Sequence, residues 1–166
     1  MTPTKQATTN EREPKLGIGK ADLTAINTGL AQALAETFTL YVKTQGYHWN
    51  VTGPTFHSLH EMFEEQYIDL REAADDLAER MRALGAASPG SFKEFMELAT
   101  IKDHDPAADA MKMVTTLSAD HETIARILRP LVDVADEAGD VATADLLTAR
   151  LAAHEKHAWM LRATAA

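Results

Sequence analysis

One histidine and three carboxylates recur along a segment with helical periodicity: His60, Glu64, Asp75 and Glu79. At roughly 100° per residue these side chains fall at about 0°, 40°, 60° and 100° around a helix, so they form one polar stripe. The adjacent sector of the same helix is apolar and contains Phe56, Leu59, Phe63, Leu70, Leu77, Met81 and Leu84. Imidazole nitrogen and carboxylate oxygen are ligands that suit several divalent metal ions. The pattern predicts a row of metal ligands beside a buried helix face.

The stripe consists of two pairs at i,i+4, His60 with Glu64 and Asp75 with Glu79. Glu64 and Asp75 are separated by roughly 16 Å at 1.5 Å per residue, so the two pairs cannot share one ion within a single chain. They can meet if the same helix of a second subunit lies antiparallel across a two-fold axis near residues 69–70. Such a dimer would contain two identical sites, because an isologous interface repeats every contact.

The usual di-iron carboxylate bundle carries Glu-x-x-His motifs inside one subunit. No glutamate of this chain is followed three residues later by histidine. That comparison excludes the intrasubunit arrangement and leaves the intersubunit stripe. His48 supplements it, because the Gly53-Pro54 turn between His48 and His60 folds two helices back on each other.

The elements that must position these residues are four long helices. Apolar spacing predicts them over about residues 21–50, 55–84, 107–138 and 141–162, with Gly85 and Gly139 as breaks. Residues 85–106 form a crossing segment whose SFKEFMEL stretch predicts a short helix. Residues 1–20 lack an apolar period and are interpreted as a flexible tail, so the domain spans residues 21–166. We predict an all-α, ferritin-like four-helix bundle with a short helix in the crossover.

Composition sets outer limits on compartment and partners. The chain has 166 residues, which suits one domain, and it contains no cysteine, so thiolate sites and disulfides are excluded. The first twenty residues contain no apolar run, which predicts neither a secretory signal nor a membrane span and makes the cytoplasm the expected location. A formal net charge of −9 argues against a surface built mainly for nucleic acid.

The segment YHWNVTGPTFHSLHEMFEEQYIDLREAADDLAERMRALG resembles the signature of the Dps family, the mini-ferritins known as DNA-binding proteins of starved cells. SFKEFMEL and the terminal HEKHAWMLR also look familial, so the resemblance covers roughly residues 21–163. It implies a homo-dodecamer built from two-fold dimers. Such a particle oxidises Fe²⁺, preferably with hydrogen peroxide, and stores the ferric mineral in its cavity, which protects the cell from oxidative damage.

By the same resemblance, the ferroxidase ligands are His48, His60 and Glu64 from one subunit and Asp75 and Glu79 from its partner, and they hold two iron ions. The position of Glu64 is often aspartate in the family. We therefore expect an intact site with slightly altered occupancy of its second iron position. Trp49, beside a ligand, is interpreted as a packing residue or as an electron donor that protects against a half-reduced peroxide radical.

Acidic residues also cluster before the last helix. In the resembling family, carboxylates at the matching stretch line three-fold pores that admit iron, and this implies Asp136, Asp140 and Asp145 here. The alternative is an ordinary solvated charge run at a helix end.

The family name implies DNA binding, but the small net charge of the N-terminal tail gives this function little support. Its four basic residues, Lys5, Arg12, Lys15 and Lys20, face two acidic ones, Glu11 and Glu13, for a net side-chain charge of +2. We expect weak or absent DNA binding. The competing hypothesis is a nucleoid-associated, DNA-compacting particle whose metal site is secondary, and a third is a scaffold that has lost turnover.

The other five histidines are not interpreted as metal ligands. His57 is expected at the surface or in contact with a ligand. His104, His121, His154 and His157 are expected at the surface or at an interface.

Overall fold

Five α-helices account for most of residues 14–166, the part of the chain that the computed structural model describes. They are α1 (Lys20–Asn50), α2 (Phe56–Ala83), α3 (Phe92–Leu98), α4 (Ala110–Glu137) and α5 (Val141–Thr164). No strand occurs in this part of the chain. The prediction of an all-α ferritin-like bundle with a short crossover helix is confirmed, and each helix lies within three residues of its predicted bounds. The tail predicted for residues 1–20 falls mostly on residues 1–13, outside the described residues.

The helices pack as two antiparallel pairs, α1 with α2 and α4 with α5. Lys43 of α1 contacts Asp120 of α4, and Leu131 of α4 lies against Gly29, so α1 and α4 are antiparallel as well. It follows that α2 and α4 point the same way. The chain must therefore travel the length of the bundle between them, which is why a long crossover containing α3 is present.

Buried carboxylate and aromatic groups fix this crossover to α1. Glu36 is fully buried and accepts hydrogen bonds from the backbone N–H groups of Thr100 and Ile101 at 2.7 and 3.1 Å. Phe38 stacks on Phe95 of α3 with ring centroids 4.5 Å apart. The crossover is thus anchored although only seven of its residues are helical.

Two glycines end helices by adopting left-handed backbone conformations. Gly85 has φ +85° and its N–H donates to Arg82, while the N–H of Ala86 donates to Met81. Gly139 has φ +74° and ends α4 in the same manner. These are Schellman motifs, in which a residue without Cβ closes the last turn. Both breaks predicted from the sequence are confirmed.

The interior of the bundle is apolar along most of its length, with Ile26, Leu30, Phe63, Leu117 and Leu128 at most 1% exposed. Among residues 14–166, no helix is both long and apolar enough to span a bilayer. The cytoplasmic location remains a prediction from the sequence.

Candidate metal centre

His48 and His60 face each other where α1 turns into α2. Residues 51–55 connect the two helices, with Gly53 at φ +110°. The imidazole rings stack with centroids 3.7 Å apart and an interplanar angle of 18°. Nδ1 of His48 lies 2.8 Å from the carbonyl oxygen of His60, and Nδ1 of His60 lies 2.8 Å from that of His48. The two residues therefore form a reciprocal clamp across the helix junction.

This clamp determines the tautomer of both rings. A carbonyl oxygen can only accept a hydrogen bond, so each Nδ1 must carry the proton and donate it. In the neutral ring, Nε2 then keeps its lone pair. Metal-binding histidines are commonly oriented in this way, with the other ring nitrogen donating to a carbonyl or carboxylate. His48 is 7% exposed and His60 is half-buried, so the clamp holds both rings close to the surface of the bundle.

Aromatic side chains surround the two rings. Phe56 stacks on His60 at 5.0 Å, and Tyr67 lies edge-on to His48 at 5.2 Å. The Tyr67 hydroxyl donates to Oε1 of Glu64 at 3.3 Å, which connects the histidine pair to the first carboxylate of the stripe. Burial first, and then the nearby Glu64 charge, raise the pKa of Tyr67, so this hydroxyl stays protonated and can donate.

The three carboxylates of the stripe, Glu64, Asp75 and Glu79, are all exposed on the single chain. Within residues 14–166, no group of three or more His, Cys, Asp or Glu side chains is close enough to hold a metal ion. The structure thus brings His48, His60 and Glu64 to one end of α2 and leaves Asp75 and Glu79 further along the helix. Their assignment to one intersubunit site remains a prediction.

The sequence predicts a two-fold axis near residues 69–70 of α2, but other residues face outward at this level. Leu70 is fully buried, and Asp69 points to α5, where Arg150 donates to both of its oxygens at 2.8 and 2.6 Å. The exposed residues at this level are Ile68 and Arg71. A partner helix would therefore contact Ile68 and Arg71, because helical periodicity turns Asp69 and Leu70 inward.

The two tryptophans are exposed on the single chain, at 68% for Trp49 and 60% for Trp159. Neither packs into the core of its own bundle, which for Trp49 differs from the expected packing role. Trp49 follows His48 directly at the end of α1. Its interpretation as an electron donor stays a prediction.

The three predicted pore residues have different surroundings. Asp136 and Asp145 are exposed, whereas Asp140 is 4% exposed and begins α5 as its N-cap. Oδ1 of Asp140 accepts from the Thr143 N–H at 3.1 Å and from Nη2 of Arg80 at 2.5 Å. Asp140 therefore caps the N-terminus of α5 and joins it to Arg80 of α2. The sequence interpretation of Asp140 as a pore carboxylate overlooked this local role, which the Asp-x-x-Thr spacing before a helix could have indicated.

The core histidines are the residues that sequence interpretation misplaced. His121 of α4 and His154 of α5 are fully buried, with their Nδ1 atoms 2.9 Å apart. His157 lies beside them, its ring 5.1 Å from that of His121, and its Nε2 is 3.2 Å from Asp69. The expectation of surface or interface placement was wrong for His121 and His154. His57 is an exposed residue beside Glu61, in agreement with its expected surface placement.

Burial determines the charge states of this cluster. It is the main cause that lowers the pKa of His154 to about 3, and Arg150 and His157 lower it further. Burial, followed by the charges of His154 and His157, also holds the pKa of His121 well below its usual value. For Asp69, burial would raise the pKa, but the hydrogen bonds from Arg150 and His157 outweigh it and lower the pKa. At neutral pH, His121 and His154 are uncharged and Asp69 is ionised.

Comparison with known proteins agrees with the all-helical fold. The ferritin-like domain family matches residues 27–166. A DNA protection during starvation protein of Brevibacillus brevis is 42% identical over 134 residues, which cover 81% of this chain and 90% of that protein. The chain belongs to the Dps family. The resemblance drawn from the sequence is confirmed.

Two further comparisons place this Dps chain among its relatives. It is 45% identical over 153 residues to a low temperature-induced protein of Nostoc sp. (strain PCC 7120), covering 90% of this chain and 86% of that one. The crystal structure of a Dps protein from Vibrio cholerae O1, described as a member of the ferritin-like diiron-carboxylate superfamily, superposes with a TM-score of 0.86. The two sequences are 32% identical, and the match covers 93% of this Dps chain and 98% of the other.

Proposed function

We propose that this Dps protein is an iron-storing ferroxidase that oxidises Fe²⁺, preferably with hydrogen peroxide, at di-iron sites between two-fold related subunits. Membership of the family supports the coarser function of a mini-ferritin. In the proposed assembly, a homo-dodecamer of such dimers keeps the ferric mineral in its hollow interior and protects the cell from iron and peroxide together.

The observation that carries the proposal is the reciprocal clamp between His48 and His60. One imidazole is buried and the other half-buried, and both donate from Nδ1 to a carbonyl oxygen, so their Nε2 lone pairs are not used by the clamp. Glu64 lies one turn after His60 on α2. The partner's copies of Asp75 and Glu79 would complete the site. Oxygen and nitrogen ligands without thiolate suit iron that must change oxidation state and then leave as mineral.

The redox balance fits two irons at each site. Two Fe²⁺ ions give one electron each to one hydrogen peroxide, whose O–O bond breaks, and hydrolysis of two Fe³⁺ releases protons to solvent. Both electrons leave in one encounter, so no hydroxyl radical is released. Exposed Trp49 is proposed as a donor when only one iron is present.

The decisive experiment separates the ligand atom from the clamp. Asparagine places an amide N–H where histidine has Nδ1–H, so His48→Asn and His60→Asn retain the carbonyl bond and lose Nε2. Stoichiometric Fe²⁺ with limiting peroxide should be oxidised at least about tenfold more slowly by the double variant. Thermal unfolding should be close to wild type. Glycine at both positions is a poorer choice, because it also removes the clamp that joins α1 to α2.

The result that contradicts the proposal is near wild-type oxidation by a folded His48→Asn/His60→Asn particle. His57→Asn is the matched control, since that imidazole is exposed and pairs with Glu61, which is not one of the proposed ligands. It should oxidise iron at the wild-type rate.

The alternative of a DNA-compacting particle takes support from the names of relatives such as the Brevibacillus brevis protein. We nevertheless propose weak or absent DNA binding, since the whole chain has a formal net charge of −9. A gel-shift at physiological salt decides between the two. Nanomolar binding by the unmodified protein would favour the nucleoid function.

A further inference from the structure

Glu64 is the carboxylate of the stripe that lies nearest to His60 along α2, one turn further on, and it has one methylene more than aspartate. On an exposed helix face, a glutamate side chain has three rotatable bonds and many orientations of similar energy. A metal ligand that must first be ordered binds its ion more weakly than one already in place. Something must hold Glu64 if it is to act at the proposed site.

Tyr67 is positioned to do this. It lies one turn after Glu64 on α2, and its hydroxyl donates to Oε1 of Glu64 at 3.3 Å. Its ring is fixed by two neighbours, His48 edge-on at 5.2 Å and Tyr41 at 6.4 Å. The hydrogen bond occupies one carboxylate oxygen and leaves Oε2 of Glu64 unoccupied by the phenol.

We infer that Tyr67 is a positioning residue for iron binding, which orients the Glu64 carboxylate toward the metal beside the His48–His60 clamp. This inference rests on the proposed function. Aspartate at position 64 would draw its carboxylate back by about 1.5 Å, the length of one C–C bond, out of reach of the Tyr67 hydroxyl. The glutamate and the tyrosine therefore act as a pair.

The pairing predicts that the effects of the two residues are not additive. Tyr67→Phe removes only the hydroxyl, and it should weaken Fe²⁺ binding about fivefold to tenfold in an anaerobic calorimetric titration. The limiting rate of oxidation should change less than twofold, because bound iron itself holds the carboxylate. In a Glu64→Asp background, the same Tyr67→Phe change should leave Fe²⁺ affinity unaltered.

Tyr41→Phe is the matched control, because it removes a hydroxyl from the neighbouring ring and leaves the Tyr67–Glu64 bond in place. It should bind Fe²⁺ like the wild type. Unchanged affinity in Tyr67→Phe, with oxidation still lost in His48→Asn/His60→Asn, would overturn the inference and leave the proposed function standing. An equal loss of affinity from Tyr67→Phe in the wild-type and the Glu64→Asp backgrounds would also overturn it, since the hydroxyl would then act without the glutamate. A wild-type protein that binds no Fe²⁺ would overturn both.

Discussion

Histidines occur in this molecule in two opposite chemical settings, and hydrogen bonding separates them. His48 and His60 donate from Nδ1 to carbonyl oxygens and keep Nε2 near the surface. His121 and His154 use Nδ1 on each other in the core, and their Nε2 atoms have no hydrogen-bond partner within residues 14–166. The first pair has the orientation that the proposed metal site requires, whereas the second must stay neutral to remain buried.

The buried pair predicts acid sensitivity. In the unfolded chain each histidine takes up a proton near pH 6.5, but the folded state holds the pKa of His154 at about 3 and that of His121 well below 6.5. The unfolded state thus binds more protons as the pH falls below about 6.5. The free energy of unfolding should fall by up to about 1.4 kcal/mol per pH unit for each histidine.

The test replaces both partners with apolar residues. His121→Leu/His154→Leu should flatten the decrease of the thermal unfolding midpoint between about pH 6.5 and 4, at fixed protein concentration. His57→Leu, at an exposed site, should keep the wild-type slope. The same slope in the core double variant would contradict the charge states given to this pair. Loss of the Asp69 contribution belongs to a lower pH, below about 4, because its folded pKa is lowered from the aspartate value.

At the scale of elements, ion pairs and helix caps join the helices at defined residues, in addition to the packing of the apolar core. Arg80 of α2 donates to Asp140 and Thr143, so the end of α2 is joined to the start of α5. Lys43 of α1, only 2% exposed, donates to Asp120 of α4 at 2.6 Å. The first contact holds α2 against α5, and the second holds α1 against α4.

Asp140→Ala should therefore act on stability. It removes the cap of α5 and leaves the partly buried Arg80 without its carboxylate, which together should cost about 2 kcal/mol. Chemical denaturation should show this loss. Asp145→Ala, an exposed change five residues later, is the control and should alter stability by less than about 0.5 kcal/mol. If the two variants were equally stable, the structural role given to Asp140 would be wrong.

At the scale of the whole molecule, the proposed ligand stripe needs two chains, because Glu64 and Asp75 are roughly 16 Å apart along α2. Each proposed site takes His48, His60 and Glu64 from one subunit and Asp75 and Glu79 from the other, and a two-fold dimer contains two such sites. Between the two halves of the stripe, Ile68 and Arg71 are exposed on the same face of α2, where the partner helix would lie.

Mixed assemblies test this arrangement. A chain with His48→Asn/His60→Asn and a chain with Asp75→Asn/Glu79→Asn should each form inactive particles. When the two are co-expressed in equal amounts, half of the dimers are mixed and each mixed dimer keeps one intact site. The co-assembled particles should therefore regain about a quarter of the wild-type ferroxidase sites. No recovery in mixed particles of normal size would contradict the intersubunit site.

Iron entry belongs to the same scale, because a pore needs several subunits. Asp136 and Asp145 remain the proposed pore carboxylates, and both are exposed. Asp136→Asn/Asp145→Asn should slow iron uptake at low salt. The difference from wild type should shrink near 0.15 M ionic strength, where charge is screened beyond about 8 Å. Asp140 is left unchanged in this variant so that the fold is preserved. Identical uptake at low salt would indicate that iron enters by another route.

The order and bounds of the helices followed from the sequence because they depend on local properties. Apolar spacing defines which face is buried, and Gly85 and Gly139 supply the left-handed conformation that ends a helix. The common exposed face of Glu64, Asp75 and Glu79 followed for the same reason, since residues on one helix have a fixed angular relation.

Contacts between distant segments were decided only by the tertiary structure. Whether a histidine is a surface group or a buried neutral one depends on what packs against it, and His121 and His154 lie on separate helices. The same holds for Asp140, whose partner Arg80 is 60 residues away. The reciprocal bonds that prepare His48 and His60 also require two helix ends to meet at a defined distance. Sequence periodicity specifies the face of one helix, whereas hydrogen bonds between helices depend on how several faces come together.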